Sequence, residues 1–582
     1  MNEWLRNFAR PYVRDGVLAT LGALFAAGLS LVPPLLSQGL VNEVLLKRDF
    51  AWIWPILGAA FAFALVREVA SYAQAYLSER MGQGVLQQVR ESLYGHLTGL
   101  SYTYYDSVQT GQLISRLISD VEWVRMFFSN FFTQGAQVAF TLLFVIIAIF
   151  IEDAPLGFIL LALLPLLTWF VLAFDHRIRP AFRGIRTQFA IMTTQLQESI
   201  SGVRVVKAFA QEPREMDQFD VTLGGLFDRN IDAARLWSNF FPLFDLLGGA
   251  YGLIVFLYGG FQVIHHEISV GALVAISGYV ILLINPLRNM GQVLNMVAQA
   301  AASGSRLFEL MQQRPAIEGP EHPYRPTRAE GRIEFHDVSL TYPSSEQPAL
   351  SHIAFRVEPG RSLALVGPTG AGKTSIVSLI PRLYDVSEGA VRVDGVDVRD
   401  WDPVTLRRQV GVVMQETFLF SATVEDNILF GRPNTTHAEV VRAAELAQAA
   451  EFIDALPQGY DTIVGERGLG LSGGQRQRLA IARAILVDPA VVVLDDATAS
   501  VDLETEALIQ QGMKNLLVGR TTIVVAHRLS SLQAADEILV IDGGRIVQRG
   551  RHQDLAREPG IYREVHAVQY KDREQVRAFG TS

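Results

Sequence analysis

Ser362-Leu363-Ala364-Leu365-Val366-Gly367-Pro368-Thr369-Gly370-Ala371-Gly372-Lys373-Thr374-Ser375 is the stretch on which the reading of this chain turns. Ser362 to Val366 predicts a buried strand, Gly367 to Thr374 fits the phosphate-binding pattern G-x-x-x-x-G-K-[ST], and a helical stretch follows from Ser375. That order is the one the chemistry needs. The glycines let the backbone N–H groups of the loop, those of Thr369 and Ala371 included, close around phosphate oxygens, and the helix start adds a favourable dipole. Lys373 is placed to neutralise the outer phosphates, and the Thr374 hydroxyl to ligate Mg²⁺.

Downstream, Val491-Val492-Val493-Leu494-Asp495 is an apolar strand ending in a carboxylate. Asp495 would reach the same Mg²⁺, usually through water. Arg332 to Phe335 also reads as β, and helical segments separate these strands, so the second half predicts an α/β domain with a mostly parallel sheet.

Leu471-Ser472-Gly473-Gly474-Gln475 precedes a helical stretch from Arg476 to Leu486. Together with the motifs above, it closely resembles the signature of ATP-binding cassette (ABC) proteins. In that family two cassettes bind two ATP molecules head to tail, each site pairing one subunit's phosphate loop with the other's signature. The resemblance therefore implies ATP as cofactor and a second half-transporter as partner. Ser472, Gly473, Gly474 and Gln475 would face the nucleotide held by that partner, where a helix start offers N–H donors.

The resemblance carries further positions. Tyr342 matches the aromatic that stacks on adenine, a core tyrosine being the plainer alternative. Ser375 closes the phosphate loop. Gln415, after the strand Gly411 to Met414, matches the glutamine that senses Mg²⁺ and the attacking water. Glu466 resembles the exporter loop ahead of the signature, and Ser500-Val501-Asp502 the segment linking the two sites. His527, after the strand Thr522 to Val525, matches the switch histidine of the γ-phosphate. Thr110 to Leu117 and Gly202 to Phe209 resemble segments near the coupling helices, which dock in cassette grooves.

One position departs. The family's catalytic glutamate follows the Mg²⁺-binding aspartate, and here that position is Asp496. Its carboxylate falls back by about 1 Å, and misplacement on that scale can cost ~10²-fold in rate. Heterodimeric exporters carry such a replacement in a degenerate site that binds ATP but hydrolyses it poorly, which favours a heterodimer. A homodimer, with Asp496 working through a small backbone shift, is the alternative that a retained His527 keeps open.

The first half is of another kind. Segments near 16–41, 52–77, 128–150, 155–176, 239–264 and 271–294 are each apolar over roughly the 20 residues a spanning helix needs. Spans one and two, three and four, and five and six are joined by short loops, around Asn42 to Phe50, Glu152 to Pro155, and His265 to Glu267. The other connections, Ser78 to Met126 and Asp175 to Arg235, are long, arginine-rich and helical in period. The positive-inside rule places these in the cytosol, with the carboxyl half. The fold expected is an all-α six-helix transmembrane domain (1–313) with cytosolic extensions, a linker (314–331) marked by Gly319, Pro320, Pro323, Pro326 and Gly331, and an α/β P-loop nucleotide-binding domain (332–582).

Pro33 and Pro34 within the first span predict a tolerated kink. Glu3 to Asp15 reads as an amphipathic helix on the membrane surface rather than a cleavable signal. A net charge of −9 over 582 residues leaves no footprint of a nucleic-acid binder. Without cysteine, disulfide and thiolate chemistry are excluded. Lys47, Lys207, Lys373, Lys514 and Lys571 are the only lysines, and Lys373 sits where its motif requires one.

Six spans fused to one cassette match exporter half-transporters over essentially the whole chain. The cargo expected is amphipathic: drugs, lipids or hydrophobic peptides, carried across the bacterial cytoplasmic membrane, with membrane lipids around the spans. A dedicated lipid flippase and an ATP-gated, channel-like protein are the alternatives. Within the spans, Arg67, Asp245 and Arg288 share a depth in the cytosolic half and could line a cavity with Phe240, Phe241, Phe244 and Tyr251, whereas Glu68 is expected to point elsewhere; interhelical ion pairing is the plainer reading.

Overall fold

Helix Ile53–Gly99 has 47 residues. At about 1.5 Å per residue it reaches roughly 70 Å, more than twice the ~30 Å of a bilayer's hydrocarbon core. Helices Ala154–Ser201 and Glu212–Ile264 are of the same order, with 48 and 53 residues. Each begins or ends in an apolar run and continues into a polar one, so the long connections extend the spans as their periodicity predicts. The computed structural model describes residues 2–414, 417–465, 470–495, 503–525 and 529–567.

The described residues form two compact units, 1–98 with 111–313, and 99–110 with 314–582. In the first, five helical stretches are long and apolar enough to cross a membrane: Trp4–Leu46, Phe50–Gly99, Thr110–Glu152, Ala154–Ser201 and Glu212–Ile264. Helix Val270–Met311 adds a further apolar run, Val270–Ile284. Its buried Ala272, Ala275, Ile276, Tyr279, Val280 and Leu283 recur at helical spacing. Most of them pack with Val145, Ile149, Leu156, Leu160, Tyr251 and Val255. Trp54, Phe61, Phe256 and Ile264 are exposed, as apolar side chains facing lipid would be.

The three short connections lie at one end of this unit, because polar side chains tie them together. Gln38 donates to Glu152 (3.2 Å), Gln262 to the buried Asp153 (2.7 Å), and Asn42 to Ser269 (2.9 Å). Asp153 also caps the next helix, accepting from the Leu156 N–H at 2.6 Å. Toward the long connections, buried Asp120 accepts from Ser303 Oγ (2.9 Å) and from both Nε and Nη2 of Arg306.

The proline kink takes a definite form. Helix Val13–Leu29 stops, and Val32–Gly39 restarts with Pro33 and Pro34 in its first turn, where a missing N–H leaves no bond unmade. The amino-terminal helix Asn2–Ala9 packs Trp4 against Phe308, at 6.1 Å between ring centres, as well as against Phe8. One expectation is corrected. Glu68 does not point away from Arg67: the long guanidinium arm curls back and Nη2 meets Glu68 Oε1 at 2.6 Å.

Among its described residues the second unit has ten strands: β1 Ile333–Leu340, β2 Leu350–Val357, β3 Ser362–Val366, β4 Glu388–Val393, β5 Val396–Asp397, β6 Val410–Val413, β7 Val491–Asp495, β8 Thr521–Val525, β9 Glu537–Asp542 and β10 Arg545–Gly550. The larger sheet has the order β10-β9-β3-β8-β7-β6 and is parallel except for β10. Strands β3 and β7 are almost entirely buried, which is why they read as uninterrupted apolar runs. A separate antiparallel sheet, β2-β1-β4-β5, packs Ile333, Phe335, Leu350 and Phe355 into the same core.

The short helix Tyr102–Ser107 belongs to this second unit although it lies between two helices of the first. Ser101 Oγ accepts from the Ala316 N–H (3.3 Å), and Tyr384 Oη donates to Asp106 Oδ2 (2.7 Å).

Candidate functional site

Parallel pairing aligns the carboxyl ends of β6, β7, β8 and β3 along one sheet edge, the usual place for a ligand in such sheets. From β3 the chain enters the phosphate-binding loop and then helix Lys373–Leu379. The loop can be tight only because it is glycine. Gly372 has φ +102°, and a Cβ on Gly367 would stand 2.0 Å from the Ile541 carbonyl oxygen. Lys373 is buried, and its Nζ donates to the carbonyls of Gly367 and Pro368, both at 2.8 Å. Its charge is thus held against the loop.

From β7 comes Asp495, also buried, and Thr374 Oγ1 donates to its Oδ2 at 3.4 Å. A hydroxyl and a carboxylate oxygen meeting at the end of a phosphate loop are hard donors of the kind Mg²⁺ takes, so this pair fits the ion. Residue Ser375 accepts from Tyr342 Oη at 2.9 Å. That bond, and the half-buried Tyr342 ring packed on the core, place the aromatic beside the first turn of the loop helix.

The chain beyond β6, β7 and β8 runs to Gln415, Asp496 and His527. These three, with Glu466 and Ser500-Val501-Asp502, lie outside the described residues.

The signature stretch starts helix Gly473–Val487. Ser472 closes its end: its Oγ accepts from the Gln475 N–H (3.2 Å), and Gln475 Oε1 accepts from the Ser472 N–H (2.8 Å). Gly474 is buried. Gly473 is exposed, and a Cβ there would meet nothing within 4 Å. Packing among the described residues therefore gives no reason for glycine at 473.

A groove of about 430 Å³ lies between helix Pro403–Gln409, β6 and helix Gly473–Val487. Val404, Met414, Phe418 and Val487 give it apolar walls, and Arg407 and Arg483 line it with their guanidinium groups. Burial holds both arginines below the ordinary arginine range. No spacing in the chain points to this groove, nor to Tyr384, whose ring stands edge-on to Tyr342 at 5.1 Å and 88°.

Comparison with known proteins places this geometry. The family model described as ABC transporter transmembrane region matches residues 17–287, and the one described as ABC transporter matches residues 350–499. The uncharacterized ABC transporter ATP-binding protein YknU of Bacillus subtilis is 38% identical over 98% of this chain and 97% of its own. The chain belongs to the ABC transporter family. An ATP-dependent lipid A-core flippase of Syntrophus aciditrophicus is 34% identical over 98% of this ABC transporter and 94% of its own length. YgaD of Bacillus subtilis, whose name ascribes multidrug export to it provisionally, is 35% identical over 97% of this chain and 98% of its own.

This ABC transporter is thus an integral membrane protein of the exporter type, with a transmembrane region and an ATP-binding region fused in one chain. Its second unit binds ATP, and hydrolysis there is coupled to transport. Exporter half-transporters of this kind dimerise.

Proposed function

We propose that this exporter moves amphipathic compounds (drugs, lipids or hydrophobic peptides) across a bacterial cytoplasmic membrane, using Mg²⁺ and ATP held between two cassettes. The observation that carries the ATP site is the meeting of Thr374 and Asp495 at the carboxyl ends of β3 and β7, with Lys373 held against the phosphate loop by the Gly367 and Pro368 carbonyls. Lys373 and the loop N–H groups hold the outer phosphates. Thr374 and Asp495 hold Mg²⁺, which when bound neutralises charge on the phosphate oxygens. Tyr342 supports the adenine. Gln415 and Asp496 orient and deprotonate the attacking water, and His527 contacts the γ-phosphate. Ser472, Gly473, Gly474 and Gln475 complete the site of the second subunit, a reading supported by the vacant surface around Gly473.

The Asp496 departure supports a heterodimer, in which this chain's phosphate loop sits in the slow site and its signature serves the fast one. Mg²⁺-dependent ATPase of the chain purified alone in nanodiscs, with Lys373→Ala as control, tests this. ATP binding with negligible turnover is expected. Robust turnover lost in Lys373→Ala would mean a working homodimer.

Amphipathic cargo is supported by the aromatic cluster on the helices of spans four and five. Phe170 and Phe174 pack against Phe240 at 5.5 and 5.3 Å, Trp237 lies 5.0 Å from Phe174, and the Arg177 guanidinium sits 5.4 Å from the Phe240 ring centre. Phe241 and Asp245 are exposed on the same helix, while Arg288 has no described side chain. The lipid A-core flippase relatives favour a lipid as the second reading. Transport of a cationic dye and of a fluorescent lipid in proteoliposomes containing the assembled dimer separates the two. Movement of neither against a gradient would instead favour ATP-gated regulation.

A further inference from the structure

Three tyrosines form a continuous chain in the second unit. Tyr342 and Tyr384 meet edge to face at 5.1 Å, and Tyr384 and Tyr102 meet again at 6.2 Å with ring planes 63° apart. Two of the three are fixed by hydrogen bonds. At one, Tyr342 Oη donates to Ser375 Oγ, in the first turn of the phosphate-loop helix. At the other, Tyr384 Oη donates to Asp106 Oδ2 at 2.7 Å, in helix Tyr102–Ser107. Burial first, and then the Asp106 carboxylate, push the Tyr384 hydroxyl well above the usual tyrosine range, so it remains a donor at any physiological pH.

The backbone that carries Tyr384 is held rigidly. Arg382 is buried and makes paired bonds to Asp385 at 2.7 and 3.1 Å. It also donates to the carbonyls of Glu318 and Arg399. Arg407 donates to the carbonyls of Pro381 and Arg382 from the other side. Tyr384 therefore has little freedom except through its own ring and hydroxyl. Helix Tyr102–Ser107, in turn, continues by chain at both ends into helices of the transmembrane unit, Ile53–Gly99 before it and Thr110–Ser115 after it.

We propose that Tyr384 is a positioning residue that joins the base platform at Tyr342 to helix Tyr102–Ser107, so that ATP affinity and the placement of that helix are set through one side chain. The proposal rests on the reading of Tyr342 as the adenine platform. Its physical content is preorganisation. Tyr342 offers a stacking face only while its ring is held at a fixed tilt. Ser375 fixes its hydroxyl, Tyr384 fixes its edge, and Asp106 fixes Tyr384. Coupling of this kind is reciprocal: if docking of the 102–107 helix strengthens ATP binding, ATP must strengthen docking of that helix by the same factor.

The chain's lack of cysteine makes a direct test available. A single cysteine at the exposed helix end, Ser107→Cys, is labelled with a maleimide in the full-length dimer in nanodiscs, with and without Mg²⁺ and ATP. ATP Kd is measured on the same samples. In the otherwise unaltered chain, ATP is expected to slow labelling. Tyr384→Phe keeps both ring contacts and removes only the hydroxyl. It is expected to weaken ATP binding by about two- to tenfold, the range of one hydrogen bond, and to reduce the ATP effect on labelling by the same factor.

Asp106→Ala is expected to do the same, and the double variant no more than either single one, since all three remove one bond. Unchanged Kd and labelling in Tyr384→Phe, or losses that add in the double variant, would overturn the proposal. Tyr342→Ala is judged separately. An unchanged ATP Kd in that variant removes the adenine-platform reading, whatever Tyr384→Phe does to labelling.

Discussion

Thr374 Oγ1 lies 3.4 Å from Asp495 Oδ2, although the two residues come from different strand ends of the parallel sheet, with β8 between them. A distance that long is a weak hydrogen bond, and it is short enough for both oxygens to turn toward one small cation. The pair is thus arranged for a ligand more than for each other. Asp495→Asn keeps the shape and removes the charge. It is expected to lower Mg²⁺-dependent ATPase in the assembled dimer on the order of 10²-fold and to raise the Mg²⁺ concentration for half-maximal activity. Thr374→Ser is expected to retain most activity, and Thr374→Val to behave like Asp495→Asn. A normal Mg²⁺ titration in Asp495→Asn would remove this pair from the metal site.

Gly473 allows function to be separated from fold. It is exposed, helical, and meets nothing that a methyl group would strike. Alanine there favours the helix by up to about 1 kcal/mol relative to glycine. Gly473→Ala is therefore expected to leave the melting temperature unchanged or slightly raised, while dimer ATPase falls at least tenfold, because on the proposed reading the methyl group intrudes on a nucleotide held by the other subunit. Calorimetry and ATPase on one preparation check this. Loss of stability together with activity would mean that the glycine serves this chain's own packing.

Sequence reading succeeded where a signal is local. β3 and β7 are buried on both faces and show as apolar runs, and the spans announce themselves by length. Of the antiparallel sheet only Arg332 to Phe335, at the start of β1, reads as β in the sequence, because the rest of its strands is half exposed and irregular. In β1, a register shift between Phe335 and Val338, with Asp337 at φ +49°, breaks the alternation that marks a strand. Adjacent residues do not face one another on a helix, which is why Glu68 was expected to point away from Arg67; the length of the arginine arm overrides that rule. Tyr384 and Asp106 meet only through the tertiary fold, and no spacing in the chain foretells them.

Asp120 holds two helices of the transmembrane unit through Ser303 and Arg306. The carboxylate is buried, whereas the Arg306 side chain is 44% exposed. The two partners are therefore unequal. Arg306→Ala leaves a buried carboxylate with, among the described residues, only Ser303 to answer it, and is expected to destabilise by about 1–3 kcal/mol, less than a fully buried pair because water can partly replace the guanidinium. Asp120→Asn keeps an acceptor and removes the charge, and is expected to cost less. The double variant should cost no more than Arg306→Ala alone. Melting temperatures in detergent with added lipid decide it, and equal losses in both single variants would contradict the asymmetry.

Asp496 poses the question on which the partner depends. It follows Asp495, the last residue of β7, which is a buried strand paired on both sides. A strand held this way cannot slide to make up a missing methylene without disturbing β6 and β8. On the proposed reading, the shorter side chain stays short of its water and hydrolysis at this chain's own phosphate loop is slow. Asp496→Glu restores the reach, and is expected to raise ATPase of the chain purified alone by ~10²-fold, provided it can form a dimer with itself. In the assembled pair with a second subunit, the same change is expected to add a second working site and at most double the turnover, because the first already hydrolyses. A chain that is fully active alone and gains nothing from Asp496→Glu would show that aspartate suffices, and the exporter would then be a homodimer.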